Sequence, residues 1–136
     1  MEAVADALEF IRPSGPAVMV TNRKDGRVQT SIVTAVAGPD GQVWVWSRDG
    51  TAKGYNLARD PRATLCAIAE GFHGWLHLEA TMRIVRQPEA MPLLEDYYRL
   101  RHGREHANWD EYRQEMIRDK RMLFLGTPTH AFKPDR

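Results

Sequence analysis

The chain has 136 residues, 43% hydrophobic and 27% charged, with 19 lysines and arginines against 18 aspartates and glutamates. That size suits one domain spanning residues 1–136, and the near-neutral balance excludes a broad electrostatic footprint for nucleic acid. With no apolar run long enough for a bilayer and no basic segment leading into an apolar one at the start, a cytoplasmic protein with no membrane partner is expected.

Glu2 to Arg12 places Val4, Leu8 and Ile11 at helical spacing beside Phe10, and Pro13-Ser14-Gly15-Pro16 ends the segment. A short amphipathic helix is predicted. Ala17 to Thr21 is a β-branched apolar run, followed by an Asp25-Gly26 turn signal and a second strand from Val28 to Ala37. Alternation puts Gln29, Ser31 and Val33 on one face of that strand and Thr30, Ile32 and Thr34 on the other. Gly38-Pro39-Asp40-Gly41 marks a further tight turn before a strand from Gln42 to Ser47, on which Trp44 and Trp46 share a face.

A helix is predicted over Ala52 to Arg59, stopped by Pro61, then strands from Ala63 to Ala69 and from Trp75 to Arg86. In the latter, Leu76, Leu78, Ala80 and Met82 form the core face, and Trp75, His77, Glu79 and Thr81 the other. Cys66 has no partner for an internal disulfide and reads as a small buried hydrophobe. Pro88 suits the first position of a helix over Glu89 to Arg101, with Met91, Leu94 and Tyr98 on its apolar stripe. Asn108 reads as the cap of a helix reaching Arg118, with Trp109, Tyr112 and Met116 aligned. Met122 to Leu125 and Thr127 to Phe132 complete the list as two strands. Strands outnumber helices and the helices fall between hairpins, so the fold class is mainly β, an antiparallel barrel with flanking helices.

Chemistry concentrates where the third strand meets the second helix. Ser47, Thr51 and Lys53 stand beside the unpaired N–H groups and partial positive charge of a helix start, which suits a phosphate. The plain alternative is an N-cap and a solvated lysine. His102-Gly103-Arg104-Glu105-His106 matches a zinc pattern literally, but Gly103 interrupts it and the helix ends near Arg101, so no metal is expected. No nucleophile elbow, Walker lysine or Gly-x-Gly-x-x-Gly turn is present. Trp44, Trp46 and Trp75 are either stacking surfaces for a flat heterocycle or core and interface residues.

Ser47, Thr51-Ala52-Lys53-Gly54-Tyr55-Asn56-Leu57 and Asp60-Pro61-Arg62, following a helix and a meander, resemble the flavin-binding split β-barrel family of pyridoxamine 5′-phosphate oxidase-like proteins. His106 to Met116 resembles the branch that uses the deazaflavin coenzyme F420. The resemblance implies a homodimer with cofactor sites at the subunit interface. Lys53, Thr51 and Ser47 would hold the phosphate, with the Ala52 backbone and Asn56 nearby. Gln29, Ser31 and Val33 would run beside the ring system, with Trp46 adjacent and Trp75 closing the site from the partner subunit. Thr51 and Gly54 stand where many relatives carry arginine. Lys24, Arg27 and Arg48 are the basic candidates for the acidic F420 tail. The implied activity is F420H2-dependent hydride transfer to an electron-poor small molecule, with no catalytic side chain assigned. The alternatives are an FMN-dependent enzyme and a non-enzymatic flavin, deazaflavin or haem-binding protein.

Overall fold

Six strands with apolar residues at alternate positions curl into one closed antiparallel barrel in the computed structural model, which describes residues 2–134. The order along the chain is α1 (Glu2–Ile11), β1 (Ser14–Asn22), β2 (Val28–Ala37), β3 (Val43–Arg48), α2 (Ala52–Arg59), β4 (Arg62–Ile68), β5 (Trp75–Val85), α3 (Ala90–His102), α4 (Trp109–Arg118) and β6 (Arg121–Phe132). Around the barrel the strands run β1-β2-β3-β6-β5-β4, and β4 closes on β1. Closure satisfies most backbone edges within the chain.

The interior is filled from every strand, as strand alternation requires. Met19, Ala35, Val45, Leu65, Leu76, Leu78 and Phe124 are fully buried there. A second core lies outside the barrel, where α3 and α4 cover the opposite faces of β2, β3 and β6. It joins Val36, Trp44, Leu123 and Leu125 to Leu94, Tyr97, Tyr112 and Met116. The two helices are tied together by the Tyr112 hydroxyl, which donates to the Leu94 carbonyl at 2.7 Å, and by an Arg113–Glu95 ion pair at 3.0 Å. Asn108 caps α4 as expected, accepting from the Glu111 N–H at 3.1 Å.

Four local expectations need correction. The two final strands are one, β6, because β5 pairs with it on both sides of Gly126, whereas β3 pairs with it only as far as that residue. Beyond that point β5 is its sole partner, so a residue without an N–H is tolerated at Pro128. The register shift between Glu79 and Ala80 absorbs the extra residue. Pro88 lies before α3 rather than at its first position, since the helix starts at Ala90. Tyr97 rather than Tyr98 is the deeply buried tyrosine of that helix. Cys66 is half-buried and alternates with the inward residues of β4, so it faces out of the barrel. Among the described residues, no helix is long and apolar enough to cross a membrane.

Gly126 sits between β3 and β5, and a Cβ there would lie 2.8 Å from Met82 Sδ and 2.9 Å from Val43 Cγ1. Gly126→Ala should therefore destabilise by about 1–3 kcal/mol through overpacking. Urea unfolding measures this, and a loss below ~0.5 kcal/mol would show that the barrel yields there more easily than a close-packed interior does.

Candidate functional site

The barrel is split on one side. β2 pairs with β3 only over Ala35–Ala37 against Val43–Val45. Past this short ladder, β2 continues with β1 and β3 continues with β6, leaving the β2 edge from Val28 to Thr34 without a partner strand. A cleft of about 330 Å³ opens at the divergence, lined by Ile32, Val33 and Thr34 on one wall, Trp46, Ser47 and Arg48 on the other, and Thr51, Lys53, Arg121 and Pro16.

α2 forms one end of this cleft because its own sequence forces it to. Thr51 is the N-cap: its Oγ1 accepts from the Gly54 N–H at 3.4 Å, donates to the Arg48 carbonyl at 3.2 Å and shares a hydrogen bond with Ser47 Oγ at 3.2 Å. The ordinary capping role is thus real, and it holds both hydroxyls beside Lys53. The N–H groups of Ala52 and Lys53, in the first turn, have no carbonyl four residues back. Gly54 faces the barrel: a Cβ there would lie 2.9 Å from Met122 Cε and 4.0 Å from Phe124 Cζ. A side chain at that position would have to displace Met122, so Lys53 is the cation that α2 brings to the cleft.

The missing charge comes from elsewhere. Arg48 and Arg121 are direct cross-strand partners on β3 and β6. Like charges so placed repel. None of Arg48, Lys53 and Arg121 has a carboxylate within ion-pair distance among the described residues. Burial, then the nearby Arg121, lowers the pKa of Lys53 below its usual 10.5. Burial, then Arg48, does the same to Arg121, with Asp119 partly opposing. Arg121 Nε is buried without a hydrogen-bond partner, and so is Ser31 Oγ. Three cations held together against their own repulsion, with hydroxyls and free helix N–H groups alongside, are complementary in charge to an anion.

Of the residues expected at the site, Val33, Trp46, Ser47, Thr51 and Lys53 line the cleft together. Trp46 has its ring stacked on Tyr97, with a centroid separation of 5.3 Å, and carries the Arg121 guanidinium at 4.0 Å, so much of its surface is engaged. Gln29, Ser31, Ala52, Asn56 and Trp75 do not line it within one chain. Asn56 is buried toward the barrel, where its amide donates to Thr21 Oγ1 at 3.1 Å and its carbonyl oxygen accepts from Arg59. Trp75 is 45% exposed on the outer face, packed on Phe132. Lys24 and Arg27 lie in or beside the β1–β2 turn and do not line the cleft.

Neither Tyr55 nor His77, residue types able to donate a proton, reaches the cleft; His77 is paired with Glu79 at 2.7 Å. Arg121 was not legible in the sequence, where it follows Lys120 as one more basic residue at a strand start. Only its pairing with Arg48 gives it a role. In the zinc-like segment, α3 ends at Gly103 with φ +67°, Glu105 pairs with Arg99 at 2.7 Å, and His106 Nδ1 accepts from the Asn108 N–H. Among the described residues no three His, Cys, Asp or Glu side chains converge so as to hold a metal ion.

Solved structures with this architecture cover nearly the whole chain. One described as an F420 reductase is 17% identical, covering 93% of this chain and 94% of its own, with a TM-score of 0.65. A conserved hypothetical protein of Mycobacterium tuberculosis is 19% identical over 96% of this chain and 83% of its own, with a TM-score of 0.72. HutZ, the haem storage protein of Vibrio cholerae, is 20% identical over 98% and 95%, with a TM-score of 0.66. At these identities the likeness establishes the split-barrel fold and not a shared ligand. Membership rests on the sequence itself: residues 4–133 match the family described as pyridoxamine 5′-phosphate oxidase, and the chain belongs to that family.

Proposed function

We propose that this protein is an F420H2-dependent reductase delivering a hydride to an electron-poor small molecule such as an enone, a quinone or a tetrapyrrole. The reading includes a homodimer with the cofactor at the subunit interface. The observation that carries it is the surplus of unpaired positive charge at the split. One phosphate on a helix start needs a lysine and a few N–H groups. Here Arg48, Lys53 and Arg121 are joined by Arg86 and Lys120, which line a smaller cavity on the far side of Arg121 together with Asp49. Five cations suit a longer polyanion, such as the acidic tail of F420.

The side chains fit such a group. Lys53, Thr51 and Ser47 would hold the phosphate, and Arg121 would supply the donor that is now buried without an acceptor. Val33 and Ile32 would shield a flat ring from water, with Trp46 braced by Tyr97. When bound, the cofactor supplies the hydride, and the protein supplies orientation, dryness and local charge. The unpaired β2 edge, with Ile32 76% exposed, supports the dimer. Sedimentation of a monomer with full cofactor affinity would remove the interface from this reading.

An FMN-dependent enzyme is the second reading, favoured by the family match itself. Parallel fluorescence titrations with F420 and FMN decide between them. Preferential saturable binding of F420 supports the reductase, preference for FMN moves the protein to the flavin reading, and binding of neither overturns both. A non-enzymatic carrier would hold reduced cofactor without losing it when acceptors are added.

The charge cluster also sets a pH dependence. An anion in the cleft favours protonated Lys53, so its pKa rises on binding from the depressed value of the free protein. Affinity should fall as pH climbs through that depressed value toward 10.5, and binding should take up protons in this alkaline window. In the free protein the sign for folding is the reverse: the unfolded chain holds the proton more tightly there, so stability rises with pH. Calorimetric titration in two buffers of different ionisation enthalpy measures the uptake. An affinity independent of pH across the window would exclude Lys53 as an anion ligand.

A further inference from the structure

Trp46 belongs to two cavities. Besides the cleft, it lines a pocket of about 140 Å³ between α3 and α4, on the side of Tyr98, Arg101, His102 and His106. The walls are unusually aromatic. The ring of Tyr98 has those of His102, His106, Tyr112 and Trp109 around it at centroid distances of 4.4, 4.8, 5.3 and 5.6 Å. Two of the chain's five histidines and three of its four tyrosines line it beside Trp46, although a packed core between two short helices needs no imidazole.

Charge in this pocket is also incompletely matched. On the same helices, Arg99 is engaged by Asp96 and Glu105, and Arg113 by Glu95 and Asp110. Arg101 has no such carboxylate among the described residues, and its guanidinium rests 5.8 Å from the Trp46 ring centroid. Glu115 is the one acidic residue on the wall. Against it stand Arg101 and the two imidazoles, whose N–H groups are donors to an anion in either protonation state. Burial, then Arg101, Arg104 and His106, lowers the pKa of His102, as expected where cationic groups crowd without an anion.

We infer that the α3–α4 pocket binds a small flat aromatic or conjugated carboxylate, with its ring against Tyr98, Trp46 and His106 and its carboxylate on Arg101. Edge and face contacts between rings orient a flat guest, and the guanidinium selects a planar acid over its neutral analogue. Trp46 stands between such a guest and the cleft, as the one side chain that lines both. The binding does not depend on the function proposed above.

Benzoate and its neutral counterpart benzamide are the probes, added to the purified 136-residue protein without cofactor and followed by carbon–proton NMR of the five histidine rings. His102→Gln and His106→Gln assign the two relevant signals. The expected result is saturable movement of these two with His73, His77 and His130 unmoved, at about tenfold better affinity for benzoate, a preference that Arg101→Met removes. The inference is overturned by stationary His102 and His106 signals, by equal affinities for the two probes, or by a preference that survives Arg101→Met. Benzoate binding in a protein that takes up neither F420 nor FMN would leave the pocket standing while overturning the function proposed above. Cofactor binding without benzoate shifts would do the opposite.

Discussion

Replacing Lys53 with alanine is expected to weaken cofactor binding more than tenfold while leaving the protein folded. A hydrogen bond to a charged partner contributes about 1.5–3 kcal/mol, and each ~1.4 kcal/mol is a factor of ten in affinity. Lys53 lines the cleft beside the Ser47–Thr51 hydroxyl pair, at the first turn of α2. It makes no ion pair among the described residues, so its removal leaves no carboxylate unpaired in the free protein. Removing it also relieves the repulsion it shares with Arg121, so the thermal midpoint should hold or rise. That opposition separates an anion ligand from a structural lysine, whose loss lowers stability and leaves affinity alone. Arg121→Met should lose affinity to a comparable degree. Fluorescence titration and thermal unfolding of the same preparations test both, and unchanged affinity for Lys53→Ala would sink the clamp.

Phe124→Ala should cost about 3–5 kcal/mol, the range for large apolar side chains removed from a packed interior. Phe124 is fully buried, stands on β6 opposite Val45 of β3 and Ile84 of β5, and belongs to the barrel core. It also lies under α2, since its Cζ is among the atoms nearest to Gly54. Set against a typical domain stability of about 5–15 kcal/mol, this one truncation removes a large share. The denaturation midpoint in urea should drop with little change in slope. Gln114→Ala, on the exposed face of α4, is the control and should move the midpoint little. A loss under ~1 kcal/mol for Phe124→Ala would mean that the barrel refills the space, contrary to the packing density of protein interiors. Because Phe124 supports the floor beneath the clamp, the variant should also bind cofactor more weakly than its residual fold predicts.

Much of the architecture was legible because it depends on near neighbours. β2 spans the predicted Val28–Ala37, and α2 spans the predicted Ala52–Arg59. Strand alternation, a threonine cap and a proline two residues past the helix are signals written within a few residues of the place they act. The inward face of β5 followed in the same way: Leu76, Leu78, Ala80 and Met82 are buried as their alternation requires. Where the sequence reading slipped, the deciding partner was distant. Gly126 reads locally as the gap between two strands, yet β6 runs through it because Gly126 is paired with Val43 of β3 and Met82 of β5 at once.

The same division holds at the site. Ser47, Thr51 and Lys53 were readable as a unit, since they surround one helix start and their chemistry is local. The arrival of Arg121 in the cleft was not readable, nor was which of the expected residues one chain brings there by itself, Gln29, Ser31, Asn56 and Trp75 lying outside the lining within a single chain. Those outcomes follow from which strands pair and where β2 and β3 part, and strand pairing joins residues that no local pattern relates. By itself, then, the sequence determined most of the strands and helices and the grouping of Ser47, Thr51 and Lys53 around one helix start, through propensities and capping that act over a few residues. Only the tertiary structure decided the charge of the site, because setting Arg48 against Arg121 is a matter of barrel register and not of the chemistry of either segment.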